Sequence, residues 1–441
     1  MPVDVKRRAV VALVGLASLA CAASARAATA PQLAVQPDGT ADIGWLEGLP
    51  TIAERSWRAD GSLTEAQAVP SARAQVVDFD MAADAAGGSL FVWRRAGAKR
   101  IVEARRRAAD GSLGPILQIS SPLYDASAPA HVAVDPDGDA AIVWQRAGSP
   151  TAYVQARRLS ARGSLGPIQT LSPSGYIAKQ PEVAMDPAGT ALAVWVRRGE
   201  SAGSQVVQSR RIAADGTLGT IQSLSTSAAA ADDPQVAFDA SGIAIVVWLR
   251  YDGSRFVAQL RRRLADGTLG AIVPLTSGGN SAGQIRLAVD PAGDAMVAFT
   301  RTTVIQARHR KADGTLGSLL TLSTSDPGSY AGAPQVAIDD ADNALVGWTL
   351  NFTESVGSHV QSRRRSAGGV VGGIETVAAR RDDQHLAPDR SGLQLAMAPG
   401  GTATFAWDEY DSEQADAGDE IVARRRRPDG SFGTAIEVSR P

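Results

Sequence analysis

Val132-Ala133-Val134-Asp135-Pro136-Asp137-Gly138-Asp139-Ala140-Ala141-Ile142-Val143-Trp144 is one of eight versions of a single thirteen-residue element. The copies start at Leu33, Met81, Val132, Val183, Val236, Leu287, Val336 and Leu395, at intervals of 48, 51, 51, 53, 51, 49 and 59 residues. The second residue is alanine in every copy. The last is Trp45, Trp93, Trp144, Trp195, Trp248, Phe299, Trp348 or Trp407, which accounts for seven of the eight tryptophans. At its centre, Asp135-Pro136-Asp137-Gly138 places Asp, Pro and Gly at the first, second and fourth positions of a type I turn, so the element is two strands joined tightly. Both strands are apolar on consecutive residues, as in Ala191-Leu192-Ala193-Val194-Trp195, which requires cover on both faces.

A third strand follows each tryptophan after a gap, as in Val154-Gln155-Ala156-Arg157-Arg158 and Val257-Ala258-Gln259-Leu260-Arg261-Arg262-Arg263. It ends in Asp-Gly at 60, 110, 215, 266, 313 and 429, with Arg162-Gly163 and Gly368-Gly369 in the other two copies. Such dipeptides between β segments mark a hairpin. A short fourth strand completes the unit, for example Ile168-Gln169-Thr170-Leu171-Ser172. Four antiparallel strands per unit and a period near fifty residues define an all-β chain, an eight-bladed β-propeller of four-stranded antiparallel blades. The repeats begin near residues 31, 79, 130, 181, 234, 285, 334 and 393. Each blade is expected to be completed from its own repeat, from Gln32 in the first strand to Ile436–Ser439 in the last, without a strand shared across the seam. The invariant alanines fit a first strand beside a crowded axis, and the tryptophans fit the wider gap between blades.

The chain resembles, over residues 31 to 441, the propellers of secreted bacterial proteins that carry Asp-Gly hairpins between their third and fourth strands. The resemblance implies architecture and no activity. The Ser-x-Asp-x-Gly-x-Thr-Trp pattern of the sialidase-type box is absent, as are the tryptophan-aspartate and double-glycine signatures of other propellers.

Lys6, Arg7 and Arg8 precede an apolar run from Ala9 to Ala20 and small residues ending in Ala25-Arg26-Ala27. This is the pattern of an export signal over residues 1–27, too short for a stable membrane span, so a secreted or extracytoplasmic protein without a transmembrane segment is expected. Domain residues then run 28–441. Cys21, the only cysteine, lies within this leader. Ser18 stands where a lipoprotein signal has a branched aliphatic residue, so lipid anchoring is the lesser reading. Removal of residues 1–27 leaves 40 basic against 45 acidic side chains and no cysteine. That balance disfavours nucleic acid as a partner and excludes disulfides and thiolate metal sites. The chain is read as a monomer.

Clustered arginines at the end of each third strand are assigned to packing, their stems covering the outer parts of the blades and their heads pairing with acidic neighbours or stacking on tryptophan. Asp135, Asp137 and Asp139 have the alternation of a calcium loop, but Asp186-Pro187-Ala188-Gly189 and Asp239-Ala240-Ser241-Gly242 keep the turn without the additional carboxylates, so no metal is expected. No cofactor motif occurs, and His131, His309, His359 and His385 show no ligand spacing.

The turns inside each element and the Asp-Gly hairpins share one face of the ring, and the variable connections share the other. Tyr124, Tyr176 and Tyr330 lie in segments leading into a first strand. Tyr153, Tyr251 and Tyr410 lie in or beside the connections between second and third strands, so all six tyrosines map to the variable face. They are the candidate ligand-binding residues, for an extracellular glycan or protein. The acidic stretch Asp408-Glu409-Tyr410-Asp411-Ser412-Glu413 to Asp419-Glu420 lies there too. The reading is therefore a secreted, non-catalytic binding or scaffold module, with no catalytic residue assignable. The alternatives are a glycan- or polymer-active propeller enzyme and a structural cell-surface protein.

Overall fold

A computed structural model describes residues 31–47, 51–71, 75–198, 204–226, 229–324, 326–352, 358–379, 392–409 and 420–439. The leader with Cys21, Tyr410 and His385 lie outside them. The described residues form eight four-stranded antiparallel sheets, each built from four strands consecutive in the chain. Calling the strands A to D, blade 3 consists of His131–Val134, Ala140–Ala147, Ala152–Leu159 and Gln169–Thr170. Its register pairs Val134 with Ala140, Trp144 with Gln155 and Ala156 with Gln169. The tight turn between A and B closes through Gly138, whose φ of +86° suits only glycine without strain. The Asp135 carboxylate accepts from the Asp139 amide at 2.9 Å. Asp186, Asp239 and Asp339 do the same for their own turns, so the repeated aspartate is explained as a turn acceptor.

Strand A of each blade packs beside strand A of the next, and the last (Gln394–Met397) packs on the first (Gln32–Val35), closing the ring. No strand is exchanged at this seam. Apolar side chains form eight buried clusters, each spanning two adjacent blades. Across the seam Ile43, Trp45 and Trp57 of blade 1 pack with Ile421, Ala423 and Val438 of blade 8. The element-ending tryptophans are all buried against the preceding blade, Trp144 with Leu90 and Val102, Trp195 with Val143 and Val154. The alanines of strand A face the following blade, as Ala34 packs with Met81 and Ala82 with Val132.

Arginine secures the same interfaces. Arg55, Arg105, Arg157, Arg210, Arg261, Arg308, Arg363 and Arg424 occupy one position of strand C. Each donates Nε to a carbonyl nine residues on, within its own C–D hairpin, at 2.6–3.0 Å. Each also donates Nη1 to a carbonyl beside strand D of the preceding blade at 2.6–3.3 Å. For Arg55 that carbonyl belongs to Val438, so the guanidinium clasps the seam at 3.1 Å. Arg425 adds to it, lying 4.1 Å over the Trp57 ring and donating to Gly39 and Trp57. The arginines thus pack as expected, but the repeated partners of this position are backbone carbonyls and not the acidic or tryptophan neighbours expected, a lateral clasp repeated around the ring.

Candidate functional site on the variable face

Strand A enters from the variable face, and the residue before each thirteen-residue element is polar in all eight copies: Gln32, Asp80, His131, Glu182, Gln235, Arg286, Gln335 and Gln394. It shares a side of the strand with the conserved alanine, whose small size leaves room for it beside the axis. These side chains form a polar ring in the axial channel. His131 Nδ1 lies 3.6 Å from Asp80 and 3.9 Å from Glu182, on the blades to either side, with each side chain between a quarter and a third exposed. Burial opposes charge on the imidazole, but Glu182 and Asp80 outweigh it and push His131 up to about 9. Burial likewise raises Glu182, against the pull of His131. The Asp80 carboxylate also accepts from the Val132 amide at 2.9 Å. Asp233, in a left-handed bulge of strand A (φ +50°), accepts from the Ile285 amide of the next blade at 3.1 Å. The ring therefore links blades as well as lining the channel. Sequence reading passed over it, although a polar residue one place before every copy was a visible signal.

On the same face lie five of the six candidate tyrosines; Tyr410 falls outside the described residues. The Arg146 guanidinium lies over both Tyr124 and Tyr153, at 4.1 and 4.5 Å from their ring centroids. The Tyr153 hydroxyl is fixed by Thr151 at 2.9 Å. On the next blade Arg197, at the same position two residues beyond the tryptophan, lies 4.3 Å over Tyr176. Tyr251 packs on Phe256, with centroids 5.4 Å apart. Tyr330 lies within a lengthened strand A (Ser329–Ile338) instead of in the connection before it, and remains exposed. The tyrosines thus do not converge on one point: blades 3 and 4 hold a compact patch, and blades 5 and 7 hold single rings.

The opposite face carries the uniform turns. Asp290, Asp294 and Asp342 bring carboxylate oxygens within 4.8 Å of one another there. Asp342 is held by His309 at 2.8 Å and Arg365 at 3.2 Å, and Asp290 and Asp294 accept from the amides of Asp294 and Ala312. Two of the four histidines that lack ligand spacing thus have definite partners, His131 beside Asp80 and Glu182 and His309 hydrogen-bonded to Asp342.

A buried carboxylate pair also exists. Asp42 and Glu54 are enclosed between blades 1 and 2, with Arg107 Nε 3.0 Å from Glu54 and hydroxyls of Ser56 and Ser89 on Asp42. Burial raises Glu54, opposed by Arg107. Both carboxylates are fully buried, and through Arg107 they join the two blades.

No protein-family model matches the chain, and no curated protein matches it in sequence. Among solved structures it is similar to the BP39L lectin from Burkholderia pseudomallei, at 11% identity and a TM-score of 0.51 over 80% of this chain and 100% of that one. It is also similar to one of two prolyl endopeptidases, at 10% identity and a TM-score of 0.50 over 87% of this chain and 55% of that one. The β-propeller domain of the Trilobed protease from Pyrococcus furiosus matches at 9% identity and a TM-score of 0.46, over 80% of this chain and 95% of that one. At such identities the likeness concerns the fold, and the chain is an eight-bladed β-propeller. Among the described residues no helix is long and apolar enough to cross a membrane.

Proposed function

We propose that this propeller is an exported, non-catalytic binding or scaffold module that engages a glycan on its variable face. The observation that carries the reading is the Tyr124–Arg146–Tyr153 stack with Tyr176–Arg197 beside it. Flat rings with polar edges, held in place by a stacked guanidinium, present the apolar face and hydrogen-bonding rim that a sugar ring requires, at low entropic cost. The opposite face is filled by near-identical turns. That a lectin shares the fold shows only that the architecture accommodates sugar sites; the residues doing so here are this chain's own. Export is read from the leader, and a protein ligand is the alternative outcome of the test.

The test is a glycan and cell-wall binding screen on the mature protein. Replacing Tyr124, Tyr176 and Tyr330 together with alanine is expected to abolish binding of any hit while leaving thermal stability nearly intact. Binding that survives this change, and falls instead when the Asp135–Gly138 turn is altered without unfolding, overturns the assignment of the face.

A polymer-active enzyme is the second reading, favoured by one observation: Asp80 and Glu182 flank His131 on neighbouring blades. Release of new chain ends from the polymers that bind, lost in Glu182→Gln, decides for it.

A further inference from the structure

Several cations of the variable face are neutralised by a neighbouring carboxylate. Arg95 meets Glu103 at 2.9 Å, Arg100 meets Asp125 at 2.6 Å, Lys179 meets Asp232 at 3.5 Å and Arg255 meets Asp252 at 3.3 Å. Arg146 and Arg197 depart from this pattern. Neither pairs with a carboxylate among the described residues, and the Nε of each is enclosed without a hydrogen-bond acceptor. Each is nonetheless held in place, because its planar face rests on tyrosine. A guanidinium fixed by stacking retains its outer edge, where parallel N–H groups donate to a carboxylate or sulfate in a fork. Only partly exposed, these two charges are less screened than free surface cations.

The two arginines occupy equivalent positions on consecutive blades, and Arg250 stands at the same position on the blade after them. Facing sheets lie on the order of 10 Å apart. The blades therefore set out cations at intervals comparable to a disaccharide in an extended chain, with Tyr124, 44% exposed, and Tyr176 between and beside them.

From this we infer that the ligand is an acidic polysaccharide, its anionic groups gripped by Arg146 and Arg197 and its sugar rings laid on the adjoining tyrosines. The inference rests on the glycan-binding reading above and adds to it the charge of the ligand and the residues that select it. A neutral glycan offers these guanidinium edges hydroxyl acceptors but no charge, and a peptide of acidic residues lacks the flat apolar ring face that tyrosine favours.

The test measures binding of the purified chain to immobilised polygalacturonate, dextran sulfate, unmodified dextran and poly-L-glutamate. Polygalacturonate is expected to bind and dextran not to, with affinity falling steeply in about 0.5 M salt. Arg146→Gln and Arg197→Gln are each expected to weaken binding roughly tenfold, with larger loss in the double variant. Arg146→Lys, which keeps the charge and loses the fork, should fall between. Unchanged melting temperatures establish that the variants fold, and Arg95→Gln, on the same face but already paired, should bind as the parent does.

Dextran sulfate binding in place of polygalacturonate upholds the acidic polysaccharide and names sulfate as its anion. Equal binding of dextran, lost with the tyrosines but indifferent to the arginines, overturns the inference and leaves the glycan-binding face standing. Poly-L-glutamate binding as tightly as the polysaccharides overturns it in favour of an acidic protein. Binding to none of the four polymers overturns it too; a hit elsewhere in the glycan screen then still upholds the broader reading.

Discussion

Replacing Arg55 with alanine tests how a ring with no exchanged strand stays closed. Seven of the eight blade interfaces join repeats that follow each other in the chain, so the covalent link holds their partners at high effective concentration. The seam between blades 8 and 1 has no such link and relies on packing and on its clasp. There Arg55 gives Nε to the Thr64 carbonyl at 2.7 Å and Nη1 to the Val438 carbonyl at 3.1 Å. A hydrogen bond from a charged donor contributes roughly 1.5–3 kcal/mol, so loss of both costs about 3 kcal/mol or somewhat more, and leaves buried carbonyls without a donor. Arg157→Ala is the control. It removes the same pair of contacts, to Gly166 at 2.7 Å and to Ile119 at 3.2 Å, at an interface the chain itself bridges. Denaturant titration is expected to show comparable losses of stability for both. Hydrogen exchange is expected to separate them: in Arg55→Ala the amide of Val438, bonded to Ile421 at 2.7 Å, exchanges much faster while blades 3 to 6 stay protected, whereas Arg157→Ala leaves Val438 protected. A loss under about 0.5 kcal/mol in Arg55→Ala, within the range of ordinary surface changes, or equal protection of Val438 in the two variants, refutes the clasp.

Two further predictions concern the core and the channel. Trp195→Ala, which empties a fully buried site between blades 3 and 4, should cost about 3–5 kcal/mol in chemical denaturation, well above the loss for half-buried Tyr176→Ala; equal losses would contradict the assignment of core and surface. His131 binds its proton more tightly in the folded chain, with its value at about 9 against an ordinary 6.5. Its contribution is therefore full below 6.5 and is lost as pH rises through about 9. Melting scans from about pH 6 to about pH 10 should show a decline that His131→Gln flattens, and identical profiles would separate the imidazole from Asp80 and Glu182.

How much of this was legible in the sequence follows from the range over which each signal acts. Blade number, strand order and tight turns are local: Asp135 accepts from an amide four residues on, Gly138 takes a backbone angle that other residues avoid, and the consecutive apolar residues of strand B declare that both faces are covered. Repetition multiplied these weak signals eightfold, which is why the ring was readable and the tyrosines could be placed on its variable face. What the tyrosines touch was not readable. Arg146 reaches its two rings, one of them from the preceding connection, and His131 lies between carboxylates 51 residues away on either side. Those neighbours are set by closure around the axis, which brings equivalent positions of successive blades together regardless of the residue types there. Local sequence thus determined the blade, because a strand's pairing and cover are encoded in its own residues. The tertiary structure alone decided which guanidiniums found carboxylates and which were left with their edges open.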